Sequence, residues 1–146
     1  MITHPAGATA GSEGEANAIQ YWGTGYGPHI DEEDGRLVYS LLVESSYVTM
    51  GFRFDIERAD LTVLATDRYR HAALYVVLHT LLQTTFGPNV SRPRRFTQQE
   101  FTDVVARVLH SSAESLATYL DEFDHTWRIV TRYYIDGFLA DGVRDS

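Results

Sequence analysis

The six histidines are the side chains of this sequence best suited to proton transfer or metal binding. His71 and His79 lie on one predicted helix, but they are eight positions apart, whereas zinc ligands on a single helix stand at i and i+4. His79 stands among Val77, Leu78 and Leu81, where burial would lower its pKa and leave a neutral general base. A core histidine that bonds a neighbouring acceptor accounts for the same pattern, so His79 is only a candidate.

A second cluster of titratable side chains stands at the end of a predicted helix and consists of Asp121, Glu122, Asp124 and His125. Two carboxylates and an imidazole can hold a divalent cation or share acid and base roles. Arginines follow close behind, so ion pairs on the surface explain the cluster more simply. We therefore predict no metal ligand here and keep the cluster as an alternative site of catalysis.

Three further patterns resemble functional motifs but lack a required part. The acidic run 29–34 resembles a calcium loop, but Gly35 comes too late, and a solvated face or a helix N-terminus fits the run better. Ser111 follows His110 directly, and adjacent side chains point apart, which disfavours a catalytic pair. Residues 19–27 contain a Gly-x-Gly pair without the third glycine or the lysine of a phosphate loop. The sequence thus predicts no catalytic residue, no cofactor and no metal.

Composition narrows the class of protein. The chain has 146 residues, 44% hydrophobic and 22% charged, which is typical of one globular domain. Its 20 acidic residues outnumber the 12 basic ones, and the formal charge of -8 makes binding to nucleic acid an unfavourable interpretation. The chain has no cysteine, which excludes disulfides and thiolate chemistry. No apolar run approaches the length of a membrane span, so we expect no membrane partner.

Every basic residue is arginine, and lysine is absent. This usage, together with frequent threonine and little asparagine, is typical either of a high-GC genome or of a salt-adapted (halophilic) protein. We expect a cytoplasmic protein, or a virion component if the source is viral.

The strongest helix is predicted at 67–86, with Thr66 or Asp67 as its cap and Gly87 just after its end. Its centre is apolar on all sides, so we expect this helix to be buried. Two capping boxes, which begin at Thr97 and Ser111, start a helical pair at 98–109 and 112–123. The core predicted around the first helix consists of Leu74, Val77, Leu78, Leu81, Val105, Leu116, Leu120 and Trp127.

Alternation with a period of two predicts β-strands. It is clearest near 36–44 and 47–54, and we also predict strands at 61–65 and 126–136, where β-branched and aromatic residues are dense. A helix over 126–136 is also possible, because Trp127, Val130, Tyr134 and Phe138 follow a helical spacing. The resulting expectation is an α+β fold: a small antiparallel sheet packed on the buried central helix and the helical pair, with a mainly α bundle as the alternative.

Residues 1–18 are small, polar and glycine-rich, which predicts a flexible N-terminal arm without the features of a signal peptide. Residues 19–146 are expected to form a single globular domain. We expect the arm to contact a neighbouring protein together with exposed aromatic and arginine side chains, which are frequent at interfaces. The candidate interface residues are Tyr21, Trp22, Tyr26, Tyr69, Arg92, Arg94 and Arg95.

These patterns favour a non-enzymatic interaction or structural subunit of a larger assembly, such as an adaptor or a virion connector or completion protein. Its partner would be another protein or a second copy of the chain. One alternative is a small ligand-binding domain or enzyme that uses His79 or the cluster at 121–125. Another is a helix-turn-helix regulator built from 98–109 and 112–123, with 126–136 as a wing. The second helix of that pair is acidic and has no arginine, which disfavours contact with DNA.

Overall fold

The computed structural model describes residues 18–22 and 27–145, and it confirms an α+β fold. Strands come first along the chain and helices follow. The strands are β1 (Ala18–Trp22), β2 (His29–Glu33), β3 (Arg36–Ser45) and β4 (Val48–Ile56). The helices are α1 (Arg58–Thr66), α2 (Arg68–Gln83), α3 (Gln98–Leu109), α4 (Ala113–Trp127) and α5 (Thr131–Asp145).

The described residues divide into two compact units. The sheet unit contains the residues up to Arg58 together with Leu82–Gln98, and the helical unit contains Ala59–Leu81 and the residues from Gln99 on. The predicted arm lies outside the described residues except for Ala18, which is the first residue of β1. The expectation of one domain over 19–146 stays a prediction.

The sheet of the first unit is antiparallel, with its strands in the order β1–β2–β3–β4. The turn between β2 and β3 consists of Asp34 and Gly35, both at positive φ (54° and 82°), as the tight type I′ hairpin requires. Along β3 the residues Leu37, Tyr39, Leu41 and Val43 alternate on one buried face, and Val38 is buried on the other. This alternation confirms the strands predicted near 36–44 and 47–54.

In the sheet unit, Ser45 packs so closely against the backbone at Phe86 and Gly87 that residue 87 must be glycine. The Ser45 hydroxyl donates a hydrogen bond of 2.9 Å to the carbonyl oxygen of Phe86, the residue before Gly87. Gly87 has a φ of 105°, and a Cβ atom there would lie 2.3 Å from the Ser45 Oγ. Only glycine fits this position, because any side chain would clash and would strain the backbone. The chain therefore leaves α2 through a turn whose shape depends on Gly87.

In the helical unit, α2 begins as predicted, because the Asp67 carboxylate accepts a hydrogen bond of 3.1 Å from the Arg70 amide. Helix α3 has the predicted bounds. Helix α4 is capped by Ser112, which accepts from the Ser115 amide, so its cap lies one residue after the predicted Ser111. Six of the eight predicted core residues are buried, namely Leu74, Val77, Leu78, Val105, Leu116 and Leu120.

The other two core predictions were wrong. Leu81 is only half-buried, and Trp127 is exposed at the last turn of α4. Trp127 was placed in the core on the assumption that it belonged to a buried strand. In a helix it occupies a different face, which the last turn of α4 leaves open to solvent.

Two predicted strands are helices. Residues 61–65 lie in α1, where Leu61 and Leu64 are buried at the i, i+3 spacing of a helix face. Residues 126–136 cover the end of α4, a short link and the start of α5, where Thr131 and Ile135 are buried at i, i+4. In both segments the packing of a helical stripe overrides the β propensity of the residues. The expected wing is therefore absent.

The acidic run 29–34 is neither a helix N-terminus nor a loop. It forms β2, and the four-stranded sheet that contains it excludes the mainly α alternative. Two of its carboxylates pair with arginines of the same unit: Glu33 with Arg53, and Glu32 with Arg58 at 3.8 Å. The strand is compatible with its charges because these side chains reach solvent or a cation.

Candidate interaction surface

A single aspartate organises the junction between α4 and α5. The carbonyl oxygen of Asp124 accepts hydrogen bonds from the amides of Arg128 and Ile129, which closes the end of α4. Its carboxylate accepts a hydrogen bond of 2.9 Å from the amide of Thr131, the first residue of α5. Arg128 adopts the left-handed conformation (φ 55°) that reverses the chain direction after a helix. Asp124 therefore fixes both the end of one helix and the start of the next.

Four large apolar side chains are exposed around this junction, and we name them the aromatic corner. They are Trp127, Val130, Tyr133 and Tyr134, with 40%, 61%, 72% and 51% of their surface exposed. The rings of Tyr133 and Tyr134 meet edge to face with their centroids 5.1 Å apart, a favourable aromatic geometry. Such a group of exposed aromatics on one short stretch marks a surface suited to binding another protein.

The packing of the two helices explains the exposure. Helix α5 buries Thr131 and Ile135, and Tyr133 and Tyr134 fall outside that stripe. On α4 the Trp127 ring continues a row of aromatics, with its centroid 6.2 Å from that of buried Phe123. The helical interpretation of 126–136 puts Trp127, Val130 and Tyr134 on one apolar stripe. Their exposure could not be deduced from spacing, because it depends on what the helices pack against.

The aromatic row continues from Phe123 to Tyr119, whose centroid is 6.1 Å away. The Arg107 guanidinium lies 5.7 Å from the Tyr119 ring centroid, a cation–π contact between α3 and α4. Burial raises the pKa of Tyr119, so its hydroxyl stays neutral at physiological pH. This row ties the base of the aromatic corner to the core of the helical unit.

The aromatic corner carries cationic side chains. Arg128 is exposed at the end of α4, and Arg132 is exposed on the first turn of α5. Arg132 reaches Asp136 at only 4.0 Å, and both side chains are largely solvated, so this ion pair is weak. The Arg132 guanidinium can therefore contact a partner at little cost.

The arginines predicted for an interface lie in the loop after α2, in the sheet unit. Arg92, Arg94 and Arg95 are all exposed, as an interface requires. Arg94 is held locally: its guanidinium lies 5.8 Å from the centroid of the Phe96 ring and donates to the carbonyl oxygen of Arg95. Its amide also donates to the carbonyl oxygen of Thr85. Their role in binding stays a prediction.

The aromatic residues predicted for the interface lie in different parts of the chain. Tyr69 is exposed on the first turn of α2, in the helical unit. Tyr21 and Trp22 belong to β1, where the pairing register with β2 shifts between Gln20 and Trp22. Tyr26 lies outside the described residues.

The two candidate sites of catalysis, His79 and the acidic cluster at 121–125, both lie on helices. The His79 ring packs against that of Tyr75 with centroids 5.6 Å apart, and His79 is only half-buried. The acidic cluster of α4 includes Asp124, which is occupied as the cap of α5. Among the described residues, no group of three His, Asp or Glu side chains is arranged to hold a metal ion. Catalysis at His79 or at this cluster stays a prediction.

His71, rather than His79, is the deeply buried histidine of α2. It is 2% exposed, and its ring lies 5.6 Å from that of Phe138 on α5. Burial lowers the pKa of His71 to about 4, so its imidazole is neutral at physiological pH. The spacing of the two histidines does not show which one is buried more deeply, because they differ by about two helical turns and thus share a face.

The structure also reveals a His–Asp contact that no sequence motif indicated. The His110 Nε2 lies 2.6 Å from the Oδ1 of Asp60, which is buried near the start of α1. The two residues are far apart in the sequence, so no spacing rule could pair them. The neighbouring Ser111 hydroxyl donates to the carbonyl oxygen of Arg107. The contact joins α1 to the end of α3.

Comparison with protein-family models, with curated proteins and with solved structures found no match to this chain. In the described part of the chain, no helix combines the length and apolarity needed to span a bilayer.

Proposed function

We propose that this protein is a non-enzymatic interaction subunit of a larger protein assembly and that the aromatic corner binds its partner. The main evidence for this proposal is that Trp127, Val130, Tyr133 and Tyr134 are all exposed on one short stretch. Tryptophan, tyrosine and arginine are the residues that most often dominate binding energy at interfaces. A stretch that presents all three residue types therefore supports binding to another protein.

Rigidity supports the same proposal. Asp124 fixes the backbone at the end of α4 and at the start of α5, so little chain entropy remains to be lost on binding. Arg128 and Arg132 add positive charge to an acidic chain. The partner we infer presents an apolar recess with acidic side chains at its rim, because that surface would receive the aromatics and neutralise the arginines.

The surface of α4 makes a DNA-binding regulator the weaker proposal. Glu114, Asp121 and Glu122 are all exposed on this helix, which would have to enter the major groove. Carboxylates near phosphates are repelled, so the helix is poorly suited to recognition. The enzyme alternative stays a prediction that the aromatic corner does not support.

The first experiment is photocrosslinking in the organism that makes the protein. A benzoylphenylalanine placed at Tyr133 should capture a specific protein. The same residue placed at Tyr47, which is 86% exposed on the β3–β4 turn, is the matched control. A product seen at Tyr133 and not at Tyr47 identifies the partner by mass spectrometry. Equal labelling at both positions, or none at Tyr133, would contradict the proposal.

The second experiment uses the identified partner in purified form. The double variant Tyr133→Ala/Tyr134→Ala should raise the Kd at least about tenfold, as expected for the loss of interface anchors. Tyr47→Ala should leave the Kd unchanged. Circular dichroism should show the same helix content in all variants, because both tyrosines are exposed. Unchanged binding by the double variant would place the interface elsewhere.

A further inference from the structure

The outer edge of β4 offers backbone groups for pairing. β4 is the last strand of the sheet, and no described strand pairs with its other side. At Asp55 this edge is occupied by a side chain: the Gln98 Oε1 accepts a hydrogen bond from the Asp55 amide, and the Gln98 Nε2 donates to the Asp55 carbonyl oxygen. The side-chain amide of Gln98 thus imitates a neighbouring strand at one residue.

The contact at Asp55 identifies which residues face outward. In an antiparallel strand, both backbone polar groups of alternate residues point to the same side. Since the amide and carbonyl of Asp55 face outward, those of Arg53, Gly51 and Thr49 do so as well. The register agrees, because Ser45 pairs with Val48 across a two-residue turn and alternate pairs carry the β3–β4 hydrogen bonds.

This edge has only part of the usual protection against pairing. Natural edge strands carry charges, prolines or bulges that prevent contact with another strand. Arg53 is the one charged residue among the three open positions, the stretch 45–52 contains no charge and no proline, and the β3–β4 register is regular along its whole length. Met50 is also exposed beside the edge. The edge is therefore open to pairing from Thr49 to Arg53 and ends at Asp55, where Gln98 is bound.

We propose that β4 pairs with β4 of a second copy of this chain, antiparallel and around a twofold axis at Gly51. In this register Gly51 stands opposite the partner's Gly51, and Thr49 stands opposite the partner's Arg53. Each of these pairs exchanges two backbone hydrogen bonds. The result is one sheet that continues across two copies, and it involves a surface distinct from the aromatic corner.

Other self-pairing registers are worse. A twofold axis at Arg53 would place two arginines opposite each other, which is repulsive, and would need the backbone groups of Asp55 that Gln98 already binds. A twofold axis at Thr49 would run into the β3–β4 turn and leave Arg53 without a strand partner. Only the register at Gly51 uses all three open positions and sets no like charges opposite each other.

Side chains support this register. Met50 stands opposite the partner's Phe52 in it, and such non-hydrogen-bonded pairs bring their side chains closest together. Phe52 is half-buried and lies on the face of β4 that packs in the sheet unit, with its ring centroid 5.8 Å from that of Phe86. Methionine sulfur and aromatic rings attract each other, so pairing would cover exposed Met50 with a suitable neighbour.

Cysteine crosslinking tests the register directly, because the chain has no cysteine of its own. Gly51→Cys places two thiols in a pair whose Cα atoms are about 5.5 Å apart, within the range a disulfide spans. Thr49→Cys is the matched control, since its two copies would be about 13 Å apart along the strand. We expect mild oxidation to crosslink Gly51→Cys and not Thr49→Cys. No crosslink at Gly51, or equal crosslinking of both variants, would overturn the proposal.

Light scattering of the full chain provides an independent test. The unaltered protein should have the mass of a dimer, and Gly51→Lys should reduce it to a monomer by opposing two ammonium groups. A Cβ atom at Gly51 meets only the Leu42 Cδ2, at 3.5 Å, so the lysine fits the isolated chain and circular dichroism should be unchanged. Gly51→Ala should remain dimeric. A monomeric unaltered protein, or a dimeric Gly51→Lys, would contradict β4 pairing.

The test separates this inference from the proposed function. Tyr133→Ala/Tyr134→Ala should remain dimeric, because the aromatic corner is not part of the strand pairing. Gly51→Lys should still bind the partner found by crosslinking at Tyr133. If the double variant alone lost the dimer, the contact between copies would lie at the aromatic corner and not at β4.

Discussion

The β4 edge and the aromatic corner both expose groups that suit a partner, but the two proposed contacts rest on different physics. The edge presents backbone amides and carbonyls at Thr49, Gly51 and Arg53, which select another strand by register. The corner presents side chains such as Trp127 and Tyr133, which select a recess by shape and apolar contact. We therefore propose a second copy of the chain as the partner of the sheet edge and a different protein as the partner of the helical junction.

The described parts of the two units also differ in where their charged and imidazole side chains lie. The outer face of the sheet unit carries exposed ion pairs, including Arg36 with Asp55 and Arg53 with Glu33. The helical unit buries His71 and Asp60. We therefore expect the stability of the helical unit to respond strongly to core volume and pH, and the sheet unit to respond more to backbone geometry than to charge.

The largest effect is expected in the helical core. Leu78 has no exposed surface, so Leu78→Ala should lower the free energy of unfolding by about 2–5 kcal/mol through lost burial and a cavity. Urea denaturation followed by circular dichroism measures this change. Leu78→Met, which conserves volume, is the control and should cost less than about 1.5 kcal/mol. A loss below about 1 kcal/mol for Leu78→Ala would show that α2 is not the centre of this core.

The second prediction uses pH. His71 has a pKa near 4 when folded and 6.5 as its ordinary value, so between these pH values the unfolded chain binds more protons. Stability is therefore complete above pH 6.5 and falls as the pH drops toward 4, by about 3 kcal/mol from this residue. Unfolding free energies measured across this range should show the slope.

Two variants assign that slope to a residue. His71→Met puts an apolar, non-titrating side chain of similar size in this position and should remove most of the acid sensitivity. His125→Gln alters an exposed histidine and should leave the slope unchanged. If the protein with Met at position 71 lost stability with acid as steeply as the unaltered chain, a titratable group other than His71 would carry the effect.

The third prediction returns to the sheet unit and its backbone. Gly87→Ala introduces a Cβ that would meet the Ser45 Oγ at 2.3 Å, at a φ that disfavours any side chain. We expect a loss of about 1–3 kcal/mol. Gly35→Ala also has a positive φ, but no atom lies near its Cβ, so it isolates the backbone part of the cost. Equal losses at the two positions would mean that the contact with Ser45 adds nothing.

How much of the fold was predictable depended on local signals. Three elements had clear local signals and were predicted correctly. Helix α2 had Asp67 and an apolar centre, α3 had a capping box, and β3 had alternating apolar residues. The end of α4 gave no such signal, because Arg128 takes the left-handed conformation that glycine usually occupies. Without a stop signal, the β-branched and aromatic residues after it resembled a strand.

β2 was missed for a different reason. Its acidic residues suggested solvent, yet the adjacent Asp34–Gly35 pair is a strong hairpin signal that could have placed a strand on each side. The aromatic corner and the contact between Asp60 and His110 carried no local signal at all. Both depend on which helix faces are covered after folding, and spacing along one chain does not contain that information.

The smallest effect is expected for the outer face of the sheet. Arg36 and Asp55 lie 2.6 Å apart, and this contact raises the pKa of Arg36, yet both side chains are more than half exposed. Solvent and salt screen such a pair, so a double-mutant cycle of Arg36→Ala and Asp55→Ala should give a coupling energy below about 1 kcal/mol. The coupling should shrink further in high salt, because exposed charges are screened within a few ångströms there. A coupling that stayed above about 2 kcal/mol in high salt would mean that this face is covered in solution, and the contrast between an ion-paired outer face and a buried helical core would fail.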